Sequence, residues 1–64
     1  MSKSQIAELY APEASLKASL RRLQRWIERN DELNVALKET GYQSSQRIFT
    51  KRQVEIIFEY LGEP

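Results

Sequence analysis

Cysteine and histidine are both missing from the chain. Without cysteine there are no disulfides to reinforce the fold and no thiolates for structural zinc or iron–sulfur sites. Without histidine, Ser–His, Cys–His and histidine–metal constellations are excluded, and no catalytic, metal or cofactor site is expected. Glycine and proline occur twice each, which argues against wholesale disorder in a sequence that is 41% hydrophobic and 30% charged. No apolar run approaches the roughly 18 residues that span a bilayer. The opening MSKSQIAELY has no hydrophobic region behind a basic start, so a cytoplasmic protein with no membrane partner is expected. Positive and negative charges nearly cancel, at +1 overall. A polyanion partner must therefore be argued from where the charges sit.

What is present is 64 residues, near the lower limit for a domain that folds alone, where about 60% of the unfolded surface is buried. A single domain over residues 1–64 is expected. Ser2 and Gln5 have the spacing of a capping box, and Ile6, Leu9 and Tyr10 follow on one helical face. Pro12 cannot continue that helix and places a turn at residues 11–14. Ser15 is suited to cap a second helix, along which Leu16, Leu20, Leu23 and Ile27 repeat at i, i+4, i+7 and i+11 before an end near Asn30. Asp31 is then expected to cap a short third helix that carries Leu33, Ala36 and Leu37 and closes at Gly41.

Polar residues 43–46 lead to Arg47, Ile48 and Phe49, which could form a short extended strand but are few for one. Thr50 and Gln53 repeat the capping-box spacing ahead of Val54, Ile57, Phe58 and Leu61, with Gly62 and Pro64 as the stop. The expected fold is all-α: a small helix-turn-helix domain of three to four helices, with at most a minimal β-ribbon before the last helix.

The charges gather on the second helix. On a helical wheel Leu20, Leu23 and Ile27 fall within about 40° of Leu16, while Arg25 stands opposite with Arg21, Arg22 and Arg29 within about 60° of it. Between Ser15 and Asn30 five basic residues meet one acidic residue, Glu28, a local charge of +4 that leaves −3 for the rest of the chain. Arginine offers a planar, permanently charged fork that bridges phosphate oxygens or reads guanine in a major groove. The expected DNA-contacting face is Lys17, Ser19, Arg21 and Arg22 at the bases, with Arg25 and Arg29 on backbone phosphates. An arginine-rich surface also simply keeps a helix soluble. Two features weigh the other way: the face has few i, i+4 acidic partners, and the helix is second in a helix–turn–helix order.

Other residues invite two readings each. Trp26, on the flank of that helix, can stack on a nucleotide or extend the core, and a domain this small has more need of the buried area. Arg47, Lys51 and Arg52 flank Ile48 and Phe49, and a hairpin over residues 43–49 would form a wing with Arg47 on DNA. Ile56 and Tyr60 widen the apolar arc of the last helix to about 200°. They serve either a sandwiched helix or the interface of a homodimer or partner protein. Carboxylates at Glu28, Asp31, Glu32, Glu55 and Glu59 are explained by capping and exposure, and a two-carboxylate enzyme acting on a small-molecule substrate would need a cleft that so short a chain rarely encloses. No enzyme is expected.

Leu9-Tyr10 with Pro12, then Leu20, Leu23, Trp26-Ile27, Gly41-Tyr42, Arg47, Phe49-Thr50, Gln53-Val54, Ile57 and the ending Leu61-Gly62-Glu63-Pro64 resemble a family of short, uncharacterised bacterial proteins, a domain of unknown function. The resemblance runs over nearly the whole chain and implies no particular activity. More distantly, the order of helix, turn, basic helix, Arg-hydrophobic-Phe-Thr stretch and closing helix is similar to MerR-like and phage excisionase-like DNA-binding domains. That similarity implies a second helix in the major groove and a following hairpin as wing; the short third helix departs from it where the wing would stand. The function expected is a DNA-binding transcriptional regulator or recombination accessory factor. The alternative is a helical protein-interaction module in which Ile56, Tyr60 and Trp26 carry the contact.

Overall fold

Two capping boxes set the first and last helices. Ser2 Oγ accepts from the Gln5 amide at 3.1 Å while Gln5 Oε1 accepts from the Ser2 amide at 2.8 Å, and helix α1 follows over Lys3–Tyr10. The computed structural model, which describes residues 1–63, continues with α2 over Leu16–Arg29, α3 over Asp31–Glu39 and α4 over Lys51–Leu61. Helix α4 has the second box: Gln53 donates its amide to Thr50 Oγ1 at 3.2 Å, and the Thr50 amide returns to Gln53 Oε1 at 2.9 Å. The chain is an all-α protein, and among the described residues no helix is long and apolar enough to cross a membrane.

Each break has a local cause. Ala11, held out of the α region by Pro12, still donates its amide to Ala7 at 3.0 Å and ends α1. A five-residue turn then delivers Ser15, whose Oγ caps α2 by accepting from the Ala18 amide. At the next junction one residue does both jobs. Asn30 closes α2 through its amide, 3.1 Å from the Trp26 carbonyl, and opens α3 with Oδ1, 3.1 Å from the Leu33 amide. Asp31, expected as that cap, is instead the first helical residue, where with Glu32 its charge complements the positive end of the helix dipole.

Helix α3 ends in a Schellman arrangement: the Tyr42 amide reaches Leu37 O and the Gly41 amide reaches Lys38 O. Gly41 has φ +90°, a left-handed backbone that a side chain would strain.

Residues 47–49 are extended, yet they form no hairpin. Their partner is the chain's N-terminal segment: the Lys3 amide donates to Arg47 O at 2.7 Å and the Phe49 amide to Met1 O at 2.8 Å, around an antiparallel bridge between Ser2 and Ile48. The hairpin that would have made a wing of residues 43–49 does not form, because the backbone groups of residues 47–49 are committed to Met1, Ser2 and Lys3.

Helix α1 packs along α2, and α3 packs on α2 and α4. The core they enclose holds Ile6, Ala7, Leu23, Ile27, Leu33, Leu37, Tyr42, Phe49, Ile56 and Ile57. Tyr42 stacks on Phe49 with ring centroids 5.6 Å apart, and Tyr10 meets the edges of Trp26 and Phe58.

The buried faces are rotated from the apolar stripes. On α2 the buried residues are Ser19, Leu23 and Ile27, whereas Leu16 at the helix start is 57% exposed. On α4 they are Gln53, Ile56 and Ile57, with Val54, Phe58 and Leu61 only half-buried. Gln53 belongs inside because every polar atom is used. Its Oε1 accepts from the Thr50 amide and from Gln46 Nε2, and its Nε2 donates to Thr40 Oγ1 at 2.9 Å. A buried amide so satisfied avoids the desolvation penalty of an orphaned polar group.

Candidate nucleic-acid interface

Burying Ser19, Leu23 and Ile27 against α1 and α3 turns the opposite side of α2 to solvent. Lys17, Arg21, Arg22, Arg25 and Arg29 are all exposed there, and the structure thus brings together five of the seven residues expected to meet DNA. Arg47 is exposed too and lines one groove with Arg21, although no wing carries it.

Ser19 is the correction. It is 2% exposed, and its hydroxyl is shared between Ala11 O at 3.1 Å and Ser15 O at 2.9 Å, so it fastens the turn and has no access to a base. The helix period places it one step from the centre of the buried arc, between Leu23 and Trp26.

The arginine face also has an acidic neighbour from outside the helix. Arg22 Nη1 donates to Glu13 Oε1 at 3.0 Å across the α1–α2 turn, the one salt bridge among the described residues. A hydrogen bond from Glu13's own backbone, and after it the Arg22 guanidinium, hold the Glu13 carboxyl below its ordinary range. Both side chains are at least half exposed, so the pair adds little to stability. Glu28, within α2, accepts from Gln24 Nε2 at 3.2 Å. Arg21, Arg25 and Arg29 carry no ion pair among the described residues.

The residues expected at a protein interface separate. Ile56 is 4% exposed and belongs to the core, although α4 packs on α3 and not between α2 and the loop, while Tyr60 is 39% exposed. Trp26 is half-buried against Tyr10. The sequence reading had no place for Val35, which is 56% exposed and lines a shallow groove with Tyr60, Asp31, Glu32 and Glu39. Its position opposite Leu33 and Leu37 on a short helix was the available signal.

A family model matches residues 1–64, the whole chain, and its description is a domain of unknown function, DUF4248. The chain belongs to the DUF4248 family. No curated protein and no solved structure matches it. The family's description names no activity, so the arginine face of α2 stands on its own chemistry.

Proposed function

We propose that this chain binds double-stranded DNA as a helix-turn-helix module, with the solvent-facing side of α2 laid against the duplex. One observation carries the reading: four arginines and Lys17 stand exposed along one side of a single helix, and among the described residues only Arg22 of these is paired. An α-helix fits the major groove, and guanidinium forks suit both phosphate oxygens and guanine edges. Lys17, Arg21 and Arg22 lie nearer the helix start and Arg25 and Arg29 toward its end, the former suited to bases and the latter to phosphates. A role as a transcriptional regulator or recombination accessory factor, in the manner of MerR-like and excisionase-like domains, follows from the same reading.

The test is a salt titration of binding to random duplex DNA. Wild type is compared with Arg22→Ala, Arg25→Ala, Arg29→Ala combined. Each lost phosphate contact lowers the slope of log K against log salt by about 0.9. Absence of any wild-type binding at ~50 mM salt refutes the proposal. Unchanged affinity and slope in the triple variant place the contact elsewhere.

A second reading, a protein-interaction module, draws on the apolar patch of Val35 and Tyr60 beside Asp31, Glu32 and Glu39. It suits a partner with basic residues around an apolar anchor. Val35→Glu with Tyr60→Glu would abolish such binding and leave DNA affinity unchanged.

A further inference from the structure

Three cations line one groove, and none of them is ion-paired among the described residues. The groove, open and about 630 Å³ in volume, runs between the start of α1, the first half of α2 and residues 44–47. Lys3, Arg21 and Arg47 line it, and no aspartate or glutamate does. That volume lies within the range of small-ligand sites.

Lys3 is held at the back of the groove by neutral groups alone. Its ammonium donates to Gln24 Oε1 at 2.7 Å, Tyr42 Oη at 3.0 Å and Ser44 O at 2.9 Å, and it lies 5.4 Å from the centroid of the Tyr42 ring. Those three acceptors use all three of its donors, and none of them cancels its charge. The half-buried ammonium therefore projects an uncompensated positive field into the groove. Arg21 on α2 and Arg47 on the loop make no side-chain hydrogen bond and no ion pair among the described residues, so both forks remain available. Ser4, Ser44 and Ser45 add hydroxyls around the same space.

We infer that this groove takes a phosphate group of the DNA backbone, gripped by the Arg21 and Arg47 guanidinium groups over the Lys3 ammonium. The inference rests on the reading of α2 as the DNA-facing helix and adds a contact outside it. A strand that follows the exposed side of α2 passes the mouth of the groove at Arg21, which belongs to both. A phosphate brings a full negative charge and several oxygens, enough for two forks, and the serine hydroxyls can donate to those that remain. Lys3 contributes charge rather than a bond, because its donors are already engaged. Free phosphate has the same chemistry, so the test separates the two sources.

Backbone amide spectra of the full ¹⁵N-labelled chain are followed in two titrations, one with inorganic phosphate and one with random duplex DNA at ~50 mM salt. The expected result is that the amides of Ser44, Ser45, Gln46 and Arg47 shift with both. In Arg47→Gln those shifts are lost, the α2 shifts with duplex remain, and the salt slope falls by about 0.9. The spectrum itself reports that the variant is folded. If duplex moves only the α2 amides and Arg47→Gln keeps its slope, the groove assignment is overturned while α2 stands as the DNA face. If inorganic phosphate moves residues 44–47 and duplex does not bind, the DNA source is overturned and the groove holds a free anion. If neither probe moves them, the site is refuted.

Discussion

Ser19 Oγ lies 3.1 Å from the carbonyl oxygen of Ala11 and donates to it, fastening the first turn of α2 to the end of α1. Residues of the turn are otherwise joined by the Ala14 amide on the same carbonyl and by the Arg22–Glu13 pair outside. The hydroxyl therefore governs how α1 meets the helix that bears the arginines. Ser19→Ala should cost about 1 kcal/mol of stability, since the Ala11 carbonyl keeps one partner and the alanine fits the space. Urea unfolding measures that cost. Duplex affinity at a temperature where the variant is folded should match wild type; a large loss of affinity would return Ser19 to the DNA face.

Gln53 is the larger structural liability. Gln53→Ala removes the partner of the Thr50 amide, of Gln46 and of Thr40, and opens a void beneath α4. A loss of roughly 2–3 kcal/mol is expected from the orphaned donors and the cavity together. An unfolding midpoint equal to that of wild type would show that the network is dispensable.

The Glu13–Arg22 pair gives a pH signature on the acid side. Because the Glu13 carboxyl is held below its reference of 4.5, its contribution is present above that value and is lost as pH falls through the lower folded value. Glu13→Gln should flatten the acid limb of the melting temperature against pH and lower neutral stability by the same small amount. On the DNA reading the same variant frees Arg22 and strengthens duplex binding by up to a few-fold; weaker binding would count against Arg22 as a contact.

Tyr10 gives the opposite signature. Its hydroxyl donates to Gly62 O, and burial, followed by the Glu63 carboxylate, raises its pKa above the reference of 10.0. The stabilisation is complete below pH 10 and disappears as pH rises through the raised folded value. Tyr10→Phe should be slightly less stable at neutral pH and lose this alkaline dependence, read by thermal melts between pH 8 and about 11. Identical alkaline limbs would remove Tyr10 as the cause.

What the sequence made legible was local chemistry. Ser2 with Gln5, Thr50 with Gln53, Ser15, Pro12 and Gly41 act over three or four residues, so the helices could be placed from their ends. Which face each helix buries was harder to read. Ser19 and Gln53 are inside because their polar atoms find Ala11 and Thr40, eight and thirteen residues away, and hydrophobic periodicity carries no trace of such partners. Leu16 is outside although it shares the wheel position of Leu23, a difference periodicity does not carry. The exposure of the arginines was legible from the wheel; the three-way anchoring of Lys3 to Gln24, Tyr42 and Ser44 was not, since it joins three distant segments.

The bridge between Ser2 and Ile48 has a kinetic consequence. Helices α1 to α3 depend on neighbours close in sequence and can form within microseconds, whereas this bridge must close a loop of more than forty residues. Folding is then a fast local assembly followed by one slow stitch that draws the start of the chain onto the segment before α4. Hydrogen exchange at the Lys3 and Phe49 amides is the measurement that reads how often this stitch opens in the native state.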